Sequence, residues 1–429
     1  MTKRASHGLL PQPGPQRVLA LAQLSNSVGD GAYYVTSALY FTHVVGLSPA
    51  RIGLGLTLAW AVGSVVGVPL GRLADRRGPR GTAVLLALAT SAAVASFLVV
   101  RDFVPFLVAA TVYASAQSGL AAARQALLAG LVGKEERTGA LAHLQVTLNA
   151  GLAVGAALGG YALSAGSKRA YLAVFAVDAV SFVLCALVLL RLPAVAPAGP
   201  AQGAKLEVLR DRPYAVVSLV NTVLLLRMPL LSLGLPLWIT ERTDAPEWLV
   251  SALFILNTGA VMLFQVPMAK SVTGLPTASR AVLKSGVIML ATCVVFALSG
   301  NGGPVVAGTI LIAGSVLLVI AEMWQSAGSW QIGFDLAPAG RIGEYQGFFG
   351  TGVTIARTLG PLVLTALLVG WGFGGWLLLG GVFLVASYAM GPVVRWAEGT
   401  RAGAGVKGSG AKGEAEPGEG VDPLLGSVD

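Results

Sequence analysis

The chain has 429 residues, 55% of them hydrophobic and only 11% charged, with a formal net charge of +9. Soluble globular proteins carry about 25% charged residues. The composition therefore excludes an ordinary soluble domain and selects a chain that crosses a bilayer many times.

Residues 1–16 are polar and Pro-rich, with no short apolar core and no small-residue cleavage site, so they read as a tail and not as a cleaved leader. Apolar runs of about 20 residues, enough to cross the hydrocarbon, then follow one another. Twelve are expected, at 18–45, 52–71, 81–100, 103–131, 139–163, 170–190, 214–239, 248–269, 281–299, 304–331, 345–370 and 372–394. The longest polar interruption, 191–213, is a linker between bundles 17–190 and 214–395. The Gly-rich, charged stretch 396–429 reads as a disordered tail.

With the N-terminus placed inside, 21 of the 29 Lys and Arg residues fall in inner segments and five in outer ones. This bias puts both termini in the cytoplasm. It also accounts for the net charge without nucleic acid, which is not expected as a partner. A weak repeat crosses the linker: Asn26 in the first span matches Asn221 in the seventh, and Pro49 after the first matches Pro246 after the seventh. Duplicated halves with a solute site between them are typical of secondary transporters.

Ionisable groups inside spans are expensive and mark function. Six occur: Asp30, Arg124, Asp178, Arg227, Glu322 and Arg357. Asp30, with Asn26 one turn before it, sits near mid-membrane. Other asparagines at 149, 221 and 257 could bind solute or serve as interhelical packing groups. No nucleotide loop, nucleophile–base pair or metal-ligand spacing occurs, and Cys185 and Cys293 lie far apart in apolar runs. Neither an enzyme nor a bound metal or cofactor is expected.

The turn between the second and third spans reads GRLADRRGPR. Gly71, Asp75, Gly78 and Arg80 match G-x-x-x-D-x-x-G-x-[RK], which resembles the signature of the major facilitator superfamily. The resemblance covers residues 17–395. It implies an all-α membrane fold of 12 transmembrane helices in two pseudo-symmetric six-helix bundles. It also implies that Asp75 and Arg80 form a cytoplasmic gate, and that helices 1, 4, 7 and 10 line a cavity. On that likeness Asp30, Asn26, Arg124, Asn221, Arg227 and Glu322 are candidates for the proton or solute site. Tyr33, Tyr34, Trp324 and Trp330 are expected as apolar walls, Asp178 as a structural hydrogen-bonding group, and Arg357 in a structural or gate role.

In the fifth span Gly151, Gly155, Gly159 and Gly160 resemble the glycine motif of the drug/proton antiporter branch, with Ala156 where that motif has proline. A small-residue face for helix packing is the alternative. Gly130 stands where relatives carry an acid after the fourth span, so any relay from Arg80 is expected to end on Glu135 or Glu136. The resulting expectation is a monomeric, proton-coupled exporter of small amphipathic or drug-like molecules in the inner (plasma) membrane. It would use the proton motive force and no cofactor. The alternatives are an importer of a polar nutrient or organic anion, and a membrane protein that transports nothing.

Overall fold

The computed structural model describes residues 11, 13–164, 167–197, 206–246 and 248–410; most of the expected N- and C-terminal tails and part of the linker lie outside these residues. The described residues are helical, with no strand among them. The helices are α1 (Pro15–Leu39), α2 (Pro49–Arg77), α3 (Pro79–Ser96), α4 (Phe103–Leu131), α5 (Arg137–Ser164) and α6 (Lys168–Leu189). After the linker come α7 (Arg212–Leu225), α8 (Leu235–Arg242), α9 (Trp248–Ala269), α10 (Leu275–Leu298), α11 (Pro304–Asp335), α12 (Ile342–Leu364) and α13 (Phe373–Gly410). Together α7 and α8 make the seventh crossing, so the helices form twelve crossings.

Local chemistry sets many of the boundaries. Ser48, Ser167 and Asp211 cap α2, α6 and α7 by accepting backbone N–H groups with their side-chain oxygens. Gly78 has φ +96°, a left-handed conformation that suits glycine, and this lets α2 turn directly into α3 with Pro79 at its start.

Three crossings widen into π-helical turns: Tyr40–Val44 after α1, Leu230–Gly234 before α8, and Thr365–Gly370 after α12. The seventh crossing was expected as one continuous span. It instead breaks between Leu225 and Leu230, where Pro229 cannot continue the ladder. The last helix runs to Gly410, which corrects the expectation of disorder from 396.

Ten helical segments are long and apolar enough to cross a membrane. The other two crossings are α1, which carries Gln23, Asn26 and Asp30, and α3, which has only 18 residues. Large apolar side chains such as Val65, Leu263 and Val305 stay exposed on the outer surface, as lipid requires.

Two large hydrophobic cores form among the described residues, one mainly in each half, with two small clusters beside them. The first runs from Leu19 to Leu192 and is rich in packed aromatic rings, among them Phe41, Phe97 and Phe175. The second runs from Val208 to Ala397 around Trp238, Phe296 and Trp376. Few residues cross over: Val68 and Ala142 join the second core and Phe334 joins the first. Packing is thus mostly within each half, and the halves meet chiefly where α12 lies against α2 and α4 and where α5 lies against α9.

Candidate functional site: a charged cavity between the halves

The hydrogen bonds that join the halves gather at the end bearing the α2–α3 turn, called here the basic end. Both carboxylate oxygens of Asp75 accept backbone N–H groups at the start of α12, Oδ1 from Gly343 (2.8 Å) and Oδ2 from Glu344 (2.9 Å). A carboxylate there satisfies orphan donors and meets the positive end of the helix dipole. The approach is close enough that a Cβ on Gly71 would lie 2.1 Å from the Gly343 carbonyl oxygen. Thr138 hydrogen-bonds Gln331, and the Arg137 guanidinium lies 5.7 Å from the centre of the Phe334 ring.

Arg80 departs from the expected relay. Its Nη1 donates to the Leu192 carbonyl at 2.8 Å, within its own half, while Glu136 accepts from Gln16. Gly78 likewise faces the linker, at Val195. The signature therefore divides its work: Gly71 and Asp75 seal the halves together, and Gly78 and Arg80 hold the linker.

Above this seal lies a cavity of about 700 Å³ lined by both halves. Its charged lining residues, among those described, are Asp30, Arg124, Arg227 and Arg357. Asp30 and Arg357 each stand 15 residues past the first residue of their helix, α1 and α12. At 1.5 Å per residue both are about 22 Å along, at one level near the middle of the bundle.

Asp30 is 5% exposed. Its Oδ2 accepts from Asn26 Nδ2 at 3.0 Å, and its Oδ1 accepts from the Tyr113 hydroxyl and Gln117 Nε2, both at 3.2 Å. Arg124 does not reach it. The Arg124 Nη1 donates to Gln23 Oε1 (2.8 Å) and Asn26 Oδ1 (3.0 Å) instead. Asp30 is thus held by neutral donors and makes no ion pair among the described residues.

The second half is built otherwise. Arg227 donates to Gln325 Oε1 (2.8 Å) and Ser326 Oγ (3.0 Å) and pairs with Glu322 at 2.9 Å. Glu322 also accepts from Asn257, so this acid is fully engaged as a counter-ion. Asn221, the repeat partner of Asn26, accepts from Gln325 and Ser329 with its Oδ1. The two asparagines are alike in burial and neighbourhood, but only Asn26 serves a carboxylate.

Several expectations change. Arg357, expected in a structural or gate role, lines the cavity and makes no hydrogen bond or ion pair among the described residues. Tyr34 and Trp330 line the cavity, but Tyr33 is buried against Tyr113, Phe97 and Phe175. Trp324 lies beneath Lys284, 5.0 Å from its ammonium. Asp178 agrees with its expected place as a hydrogen-bonding group: it is fully buried behind α1 and accepts from Ser181 Oγ at 3.4 Å.

The α5 glycines pack α1 directly: a Cβ on Gly155 would lie 2.0 Å from the Val28 carbonyl oxygen, and Gly151 and Gly159 are nearly as tight. Gly160 has nothing within 4 Å and does not belong to that face. Sequence reasoning missed Tyr113 and Gln117 as partners of Asp30. It also missed Gln125 and Gln346, cavity residues with an unpaired buried Oε1 and Nε2 respectively. A glutamine in a helix carries no signal of this kind on its own.

The fold recurs in solved transporters. The human organic anion transporter MFSD10 (TETRAN) superposes with TM-score 0.67 at 16% identity, over 88% of this chain and 100% of that one. A bacterial homologue of the iron transporter ferroportin, in its outward-facing state, gives 0.68 at 17%, over 90% and 99%. The E. coli fucose:proton symporter FucP gives 0.61 at 13%, over 89% and 98%. At such identities the likeness concerns the fold. No curated protein matches the chain in sequence. Residues 19–361, most of the chain and including the sealed turn and the cavity, match the model of the Major Facilitator Superfamily, and the chain belongs to that family of multi-pass membrane transporters.

Proposed function

We propose that this protein is a proton-coupled secondary transporter that carries a small amphipathic molecule through the central cavity by alternating access, with Asp30 taking up and releasing the proton. The carrying observation is the setting of Asp30: a buried cavity carboxylate with three neutral donors and no cationic partner. A carboxylate placed only for architecture would be neutralised in place, as Glu322 is by Arg227. The proton carrier must be able to exist in both charge states, and Asp30 is the cavity acid with that freedom. The seal at the basic end and the cavity above it match one end-state of an alternating-access cycle. With the basic end in the cytoplasm of a plasma (inner) membrane, the state is outward-facing. We take the unit to be a monomer driven by the proton motive force.

Export by exchange with protons is the reading carried by the glycine pattern of α5. Those glycines pack α1, so their role is met by geometry whichever way the solute moves. Uptake of an anionic solute is a second reading, supported by Arg357 in the cavity.

The test is a solute screen in proteoliposomes under an imposed pH gradient. The wild type should move its solute in response to the gradient, and Asp30→Asn should not, while still exchanging solute across the membrane. Gradient-driven flux that persists unchanged in Asp30→Asn would remove Asp30 from the mechanism.

A further inference from the structure

We infer that the solute is an organic anion whose acidic group is gripped by Arg357, and that it travels in the same direction as the proton. The inference rests on the transport reading above and names the chemistry of that same cavity.

The cavity has three arginines, but two are occupied. Arg124 is spent on Gln23 and Asn26, and Arg227 on Glu322, Gln325 and Ser326. Arg357 alone of the three makes no hydrogen bond or ion pair among the described residues, and its side chain is exposed where it lines the cavity. A guanidinium carries five N–H donors in a planar fork and cannot shed its charge. Held near mid-membrane without an acceptor, it is costly. The cost is removed by a carboxylate, sulfonate or phosphate, each of which matches the fork with two parallel hydrogen bonds.

The surroundings fit the rest of such a molecule. Trp60, Trp330, Phe349 and Pro361 supply apolar lining, and Tyr34 lies within electrostatic reach of both Arg357 and Asp30. The amphipathic character expected from the aromatic lining is kept, and its polar end acquires a sign.

The charge balance sets the coupling. With Asp30 ionised, the four charged lining residues and Glu322 sum to +1; with Asp30 protonated, they sum to +2. A proton on Asp30 therefore favours an anion at Arg357, and by linkage the anion favours the proton to the same extent. A cationic solute would have the opposite coupling, displacing the proton, as exchange requires. The geometry points to joint movement.

The test uses purified full-length protein and three probes of one shape: naphthalene-2-sulfonate, which stays charged at all working pH values, naphthalene-2-sulfonamide, which is neutral, and 2-naphthylmethylammonium. Binding is read from quenching of Trp60 and Trp330 and from thermal stabilisation. The sulfonate should bind at least tenfold tighter than the other two and tighten as pH falls. Arg357→Gln should lose at least tenfold in sulfonate affinity, Arg357→Lys should recover part of it, and both should elute and melt as the wild type does. Asp30→Asn should bind the sulfonate with the pH dependence abolished.

Equal binding of the sulfonamide or the ammonium would overturn the proposal. So would an unaffected Arg357→Gln, or no sulfonate binding at millimolar concentration. Sulfonate binding that needs Arg357 but ignores pH in the wild type would instead sink the role of Asp30, and with it the joint movement, while leaving the anion site standing.

Discussion

Arg124 and Asp30 are joined through one amide: Asn26 accepts from the guanidinium with its oxygen and donates to the carboxylate with its nitrogen, each at 3.0 Å. A direct ion pair would fix the charge of Asp30. The inserted amide passes on part of the arginine's polarisation and leaves the carboxylate free to take a proton.

Asn26→Ala should therefore cost about 1–3 kcal/mol of stability, the usual loss when buried donors and acceptors are left unpaired. A lower melting midpoint in detergent checks this. A midpoint equal to the wild type would mean that the bridge through Asn26 contributes nothing to stability.

At the basic end, Asp75→Ala removes two charge-assisted hydrogen bonds to the start of α12. At about 1.5–3 kcal/mol for one such bond, loss of the pair should shift the balance away from the sealed state by at least roughly tenfold to a hundredfold. A cysteine placed at cavity position 329 should then react faster with an impermeant thiol reagent applied from the basic side. Gly71→Val should act in the same direction, because its Cβ would overlap the Gly343 carbonyl. Unchanged labelling in both variants would mean the contact does not control access.

Gly155 and Gly160 should respond oppositely to alanine. A Cβ at Gly155 would sit 2.0 Å from the Val28 carbonyl oxygen, so α1 and α5 must separate and most of the protein should fail to fold. Gly160 meets nothing within 4 Å, and Gly160→Ala should stay within about 0.5 kcal/mol of the wild type. Yield of monodisperse protein after gel filtration separates the two.

Arg227 and Glu322 should behave as a pair. Glu322→Gln and Arg227→Gln each leave the other charge without its counter-ion, and the double variant should recover about 0.5–3 kcal/mol relative to the summed single losses. Gradient-driven flux in Glu322→Gln, per folded molecule, should still respond to pH, since the proposed proton carrier is Asp30 and Glu322 serves Arg227 as its counter-ion. Melting curves and flux at two pH values decide both points.

Most of the architecture was legible because lipid leaves helices little choice. The apolar runs 103–131 and 248–269 coincide with α4 and α9 to the residue. The break in the seventh crossing was also written in the chain, at Pro229 and Pro236, but length and hydropathy alone hid it. Spacing could have excluded Gly160 as well: residues 151, 155 and 159 recur every four and share a helix face, and 160 is turned about 100° away.

The site was legible only in part. An ionisable group in a span announces itself, so Asp30, Arg227 and Glu322 were found. Which charges neutralise one another depends on the register of helices far apart in sequence, such as Tyr113 against Asp30 or Gln325 against Arg227. The freedom of Arg357 is visible only once all its possible partners have been placed elsewhere.

The widened turns at Tyr40–Val44, Leu230–Gly234 and Thr365–Gly370 lie beyond Asp30, Arg227 and Arg357 along their crossings, on the side away from the seal, in three of the crossings that enclose the cavity. A π turn is a joint in an otherwise stiff rod. The mouth of the vestibule can then shut by flexing its own rim, with the charged floor around Asp30 undisturbed, and a captured molecule can be sequestered before the large bodies begin to rock.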